Sequence, residues 1–213
     1  MKLYTYFRSS AAFRVRIALN LKGLGYEPLF VHLAKGDHRQ PDYLKVNAQG
    51  LVPTLVLDDG TRLNQSLAII EYLEEKHPQT PLLPQDALGK ARVRSLSYLV
   101  AAEIHPLNNL RVLQHLKRAL GQNQEQIDTW YRYWIADGLA KLEAELTAGK
   151  PSGRFCHQDQ PTMADCCLVP QIFNAKRYNS DLSAYPTTMR VFEQCMKLEP
   201  FDRAQPSKQP DAE

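Results

Sequence analysis

YFRSSAAFRVRIALNLKG, residues 6–23, carries two serines at the point where one kind of local structure gives way to another. Phe13, Ile17 and Leu21 step by four, with Val15, Ala18 and Leu19 beside them, and this spacing predicts a helix over 11–22. The preceding KLYTYF (2–7) has strand character, and YEPLFVHL (26–33) is a second strand candidate. A helix between two strands makes a βαβ unit. Ser9 and Ser10 fall at its strand-to-helix junction, with Arg8 and Arg14 on either side.

Downstream, LVPTLVLDDGTRLNQS (51–66) predicts two short strands around an Asp-Gly turn at Asp59–Gly60. SLAIIEYLEEKHP (66–78) predicts a helix with Ser66 as its N-cap and Pro78 past its end. A Pro-rich connector covers 78–89, and beyond it the strand signals stop. Helical patterns run over 87–120, interrupted at Pro106, then over 124–146 and 162–179. The last opens with Thr162-x-x-Asp165, close to a capping box and read as structural. The expected fold class is α/β followed by all-α. The expected domains are 1–80 and 87–202, with a polar, Pro-containing tail over 203–213 expected to be flexible.

The 213 residues are 44% hydrophobic, enough for a substantial core, and the net charge of +3 comes without a dense Lys/Arg run, so nucleic acid is not an expected partner. No stretch approaches the ~18 apolar residues of a membrane span. Met1 leads directly into a strand-like segment without a leader pattern, and the expected location is cytoplasmic, with no membrane partner. Cys156, Cys166, Cys167 and Cys195 form no C-x-x-C pair and are expected to be reduced packing residues. The six histidines show no metal-ligand spacing, and no metal is expected.

Three junctions carry candidate chemistry. At Ser9–Ser10 a helix N-terminus offers unpaired N–H groups and partial positive charge; the serines either cap the helix or donate to an anionic ligand atom such as a thiolate. Val52–Pro53 is either a trans proline opening an edge strand or a cis turn that exposes the Val52 backbone to an extended peptide. Gln65–Ser66 either caps the next helix or receives a carboxylate. Taken together, the functional alternatives describe a small tripeptide with a thiol in its middle and carboxylates at its ends.

The chain resembles the glutathione S-transferase superfamily, and within it the zeta class, which includes maleylacetoacetate isomerase and the related maleylpyruvate isomerase. The resemblance rests on YFRSSAAFRVRIALNLKG, NAQGLVPTLVLDDG, LNQSLAIIEYLEE, LLPQD, EIHPLNNLRVL and PTMADCCLVPQIFNAKRY and covers nearly the whole chain. It implies a thioredoxin-like N-terminal domain, an all-helical C-terminal domain, a homodimer and glutathione as cofactor. It also implies that Val52–Pro53 is the cis turn, that Gln65 and Ser66 hold the γ-glutamyl end of glutathione, and that Ser9 and Ser10 face the sulfur. The zeta signature reads Ser-Ser-Cys here, commonly with Trp two residues on. This chain has Ala11 and Phe13 at those positions, so the thiol must come from glutathione.

The implied reaction converts a cis maleyl-keto acid, such as maleylacetoacetate, to its trans isomer by reversible thiolate addition. Ser9, then Ser10, is the expected donor to the sulfur. Arginine suits the doubly anionic substrate, because its planar fork matches carboxylates. Arg8, Arg14, Arg111 and Arg177 are the candidates, with a structural salt bridge as the alternative for Arg14; the resemblance favours Arg8, Arg111 and Arg177. His105 and Asn109, at the Pro106 bend, and Arg111 are candidate contacts to glutathione or substrate, and Gln49 is a candidate for the glycyl end. Trp130, Tyr131, Tyr133 and Trp134 are read as packing or dimer-facing residues. A conjugating transferase and a non-catalytic glutathione-binding protein are the alternatives. A dithiol oxidoreductase fits poorly, since no cysteine precedes Cys156.

Overall fold

The computed structural model describes residues 1–148 and 152–213; residues 149–151, inside the expected helical domain, lie outside it. The chain divides into two compact units, 1–82 with 197–213, and 83–196.

The first unit is built on a four-stranded sheet in the order β2-β1-β3-β4. β1 (Lys2–Thr5) runs parallel to β2 (Glu27–Phe30) and antiparallel to β3 (Thr54–Val56), which pairs antiparallel with β4 (Arg62–Asn64). The βαβ unit read from the N-terminal stretch is present, with α1 spanning Ser10–Leu21. α1 buries Phe13, Val15, Ile17, Ala18 and Leu19, but also Arg14 and Arg16. A short helix α2 (Pro41–Val46), which the periodicity did not indicate, precedes the loop to β3. α3 (Ser66–Lys76) follows β4 and stays beside α1, where the buried Lys22 ammonium meets Glu74 at 2.8 Å.

The C-terminal segment departs from expectation. Residues 203–213, read as a flexible tail, are ordered against the first unit, and 197–202 belong to that unit rather than to the helical one. α9 (Glu199–Ala204) packs on α1, placing Phe201 and Ala204 in the core. Asn20 Nδ2 donates to the Pro200 carbonyl at 3.0 Å, and the Phe7 N–H donates to Asp211 at 2.9 Å. Composition marked the segment as polar; its polar groups are used by partners at the other end of the chain.

The second unit is helical throughout its described elements: α4 (Ala87–Tyr98), α5 (Leu110–Arg118), α6 (Gln124–Thr147), α7 (Met163–Arg177) and α8 (Pro186–Met196). α4 continues as a wider turn over Leu99–Ile104, where the His105 N–H reaches back five residues to Val100 at 3.0 Å. This widening precedes the break at Pro106. α7 is buried from Met163 to Ile172 and packs against α4 and α8. Its start is the expected capping device, with the Asp165 carboxylate accepting the Thr162 N–H at 2.7 Å. All four cysteines are free and buried; burial pushes the Cys156 and Cys195 thiols up, which makes them poor nucleophiles. Among the described residues no helix is long and apolar enough to cross a membrane, and no cluster of His, Cys, Asp and Glu could hold a metal ion.

Candidate active site

The sheet register brings the three junctions to one end of the first unit. Tyr4 on β1 sits opposite Thr54 on β3, which sits opposite Asn64 on β4. The chain therefore leaves β1 toward Ser9, enters β3 from Val52–Pro53, and leaves β4 into Gln65 at the same sheet end.

Ser9 is the N-cap of α1: its Oγ accepts the Ala12 N–H at 3.2 Å. Capping occupies a lone pair and leaves the hydroxyl proton to donate, so the two roles weighed for this serine are compatible. Ser9 is half-buried, whereas Ser10, the first residue of α1, is buried. Arg8 is exposed, its guanidinium 5.0 Å from the Phe7 ring centroid.

Val52–Pro53 is cis. The loop before it is held by a buried polar network that sequence reading missed. Asn47 Nδ2 donates to the Leu51 carbonyl (2.8 Å) and to Thr54 Oγ1 (3.1 Å), and Asn47 Oδ1 accepts the Gln49 N–H (3.0 Å). The Tyr43 hydroxyl donates to the same Leu51 carbonyl at 2.6 Å, and burial pushes the phenol up. Gly50 adopts φ 61°, and a Cβ there would come within 3.2 Å of the His38 carbonyl oxygen, so the turn requires glycine.

At the third junction Ser66 is not the N-cap. Gln65 holds that position with φ 69°, a left-handed conformation that a glutamine adopts at a cost, and its side chain does not cap the helix. Gln65 instead turns to the other candidate on this side, with Nε2 donating to Gln49 Oε1 at 2.8 Å. Ser66 is the first helical residue, and its Oγ accepts from Arg14 Nη1 at 3.3 Å. Arg14 is 2% exposed, so the charge behind Ser66 is a buried one. α3 thus starts without a side-chain cap above a buried guanidinium, two features that favour an anion.

The remaining candidates lie in the second unit. Asn109 is the N-cap of α5, its Oδ1 accepting the Arg111 N–H at 3.1 Å, and its Nδ2 lies 3.4 Å from His105 Nε2. α6 holds this loop: Trp130 Nε1 donates to the Leu107 carbonyl (2.9 Å) and Asn108 Nδ2 to the Tyr131 carbonyl (3.1 Å). Arg111 and Arg177 are exposed. The Arg177 guanidinium lies 5.1 Å from the Tyr178 ring centroid, and Tyr178 stacks on the buried Tyr131 at 3.5 Å. Burial raises the Tyr131 phenol to about 12, against the pull of Arg177. Tyr131 is buried, Trp130 and Trp134 are half-buried, and Tyr133 is exposed.

A thioredoxin-like sheet with a cis-proline turn, a serine at the first helix start and an anion-ready second helix start, followed by a helical unit, defines a glutathione-transferase fold. The family model for the glutathione S-transferase N-terminal domain matches residues 8–76. The maleylpyruvate isomerase of a Ralstonia species is 46% identical over the full length of both chains. The maleylacetoacetate isomerase of Pseudomonas aeruginosa is 47% identical, covering 99% of this chain and 98% of that one. A crystal structure of maleylacetoacetate isomerase from Methylobacterium extorquens AM1, with bound malonate and glutathione, superposes with a TM-score of 0.97 at 43% identity and full coverage of both chains. The chain belongs to the zeta class of the glutathione S-transferase family.

Proposed function

We propose that this protein is a glutathione-dependent cis–trans isomerase of a maleyl-keto acid, taking maleylacetoacetate to fumarylacetoacetate or maleylpyruvate to its trans isomer. The observation that carries the reading is the gathering of Ser9, the Val52 backbone and the uncapped α3 start at one sheet end, the pattern a thiol tripeptide requires. The fit is good: Gln65 and Ser66, over buried Arg14, suit the γ-glutamyl carboxylate; Val52 offers backbone pairing; Gln49, hydrogen-bonded to Gln65, suits the glycyl end.

Bound glutathione supplies a thiolate whose reversible addition turns the double bond into a rotatable single bond. Ser9 donates its hydroxyl proton toward the sulfur, and together with the α1 N-terminus it favours the ionised form near neutral pH. Arg8, Arg111 and Arg177 take the carboxylates and the negative charge that develops on the keto oxygen. His105 and Asn109 are assigned as polar contacts, with no general-base role. The bound malonate in the Methylobacterium relative supports a dicarboxylate site. The reading extends to a cytoplasmic homodimer serving tyrosine or aromatic-acid breakdown.

The deciding experiment follows loss of maleylacetone with and without glutathione. Glutathione-dependent isomerisation is expected. Absence of turnover with glutathione still bound would instead favour a conjugating or purely binding role. A second expectation concerns Arg177→Ala, which should raise KM for a dicarboxylate by about tenfold, the scale of one charged hydrogen bond, and leave an uncharged electrophile nearly unaffected. Equal changes for both would count against carboxylate recognition.

A further inference from the structure

The loop that presents Ser9 is a tight turn, closed by the Ser9 N–H donating to the Tyr6 carbonyl at 2.9 Å. Its other backbone groups are held from two directions. From α1, Arg16 Nη1 donates to the Tyr6 carbonyl (3.3 Å) and Nη2 to the Phe7 carbonyl (3.2 Å). From the chain end, Asp211 Oδ2 accepts the Phe7 N–H (2.9 Å). Arg16 also reaches the C-terminal segment, its Nε donating to the Ala204 carbonyl at 3.1 Å. The segment is anchored independently of the turn: Arg203 Nη2 donates to Asn20 Oδ1 (2.8 Å), and Glu213 accepts from Lys35 Nζ (3.2 Å) and meets His32 Nε2 (3.1 Å).

We propose that Asp211 is a positioning residue: its hydrogen bond to the Phe7 N–H sets the turn that places the Ser9 hydroxyl, making residues 199–213 a strap on the catalytic loop. The inference rests on the reading of Ser9 as the donor to the thiolate. Arg16 is completely buried and bonds neutral oxygens in the contacts named; burial lowers its guanidinium to about 10, against the pull of Tyr26 and then Asp211. The position of the Ser9 oxygen follows from the backbone angles of Phe7 and Arg8. Displacing a reacting group by about 1 Å costs up to ~10²-fold in rate, so a bond two residues away has leverage on the chemistry.

The test compares Asp211→Ala, Asp211→Ser, Asp211→Asn and Glu213→Gln. Three quantities decide it: amide exchange at Phe7 and Ser9 in the ligand-free protein, the pH at which the bound glutathione thiol ionises (read from thiolate absorbance), and kcat against KM. Asp211→Ala and Asp211→Ser, which cannot reach the Phe7 N–H, should speed exchange at both amides, raise the ionisation pH and lower kcat by about tenfold, with KM for glutathione within about threefold. Asp211→Asn keeps the acceptor and should restore most of kcat. Glu213→Gln should match wild type. Wild-type exchange and thiol ionisation in the alanine and serine variants would overturn the proposal, as would equal losses in Glu213→Gln. Ser9→Ala run alongside separates the two readings: if it leaves thiol ionisation unchanged, the Ser9 assignment fails, whereas the Phe7 exchange still reports on the strap.

Discussion

Ser9→Ala is expected to lower kcat for isomerisation on the order of 10²-fold, the loss typical when one donor to a developing or resident anion is removed. The thiol of bound glutathione should return toward its free pKa of ~8.5, so the pH profile of the variant should shift to the alkaline side. Ser9 also caps α1 through its 3.2 Å bond from the Ala12 N–H, and losing a cap costs about 1 kcal/mol. In a chain of this size such a loss moves the melting point by only about 2–4 °C, which leaves the protein folded at 25 °C. A rate loss with a nearly unchanged melting point therefore reports on chemistry. Retained activity in Ser9→Ala, with loss in Ser10→Ala, would move the donor to the buried neighbour.

The largest expected stability effect lies in the other unit. Asp165 has no exposed surface, and its carboxylate accepts the Cys156 N–H (2.9 Å), the Thr162 N–H (2.7 Å) and the Thr162 hydroxyl (2.8 Å). Burial raises its carboxyl pKa, and these hydrogen bonds oppose the rise. Asp165→Ala strands three buried donors and opens a small void beside Cys195. The expected cost is about 3 kcal/mol or more. Thermal unfolding should show it as a fall of about 6–12 °C. A shift under 2 °C would mean that the capping device at α7 is dispensable. Asp165→Asn keeps one acceptor oxygen and should fall between the two.

Much of the fold was legible where its signals are local. The four-residue steps of Phe13, Ile17 and Leu21 place α1, the Asp59–Gly60 turn joins β3 to β4, and Thr162-x-x-Asp165 marks the α7 start. Each is written within a few residues. The same holds for the serine at the first strand-to-helix junction, although its cap bond and its donor role are distinguishable only once its neighbours are placed.

The features that escaped reading depend on partners far along the chain. At the start of α8 the Thr187 and Thr188 N–H groups find their acceptor in Glu143 of α6, at 2.8 and 2.7 Å, more than forty residues back along the chain. Ser66 has the composition of an N-cap, but a residue at φ 69° before it shifts the helix start, and Arg14 uses its hydroxyl instead. Arg14 and Arg16 sit in a helix whose apolar spacing gives no hint that both guanidinium groups are buried. The polar tail is held because Phe7, Arg16 and Asn20 supply partners to Asp211, Ala204 and Arg203. Local periodicity, turn chemistry and the recognisable glutathione-transferase motifs were determined by the sequence alone. Which polar groups are buried, and which of them brace the loops around Ser9, Val52 and Gln65, was decided by tertiary structure. A buried polar group is stable only with a hydrogen-bond partner, and here that partner is often tens to about two hundred residues away.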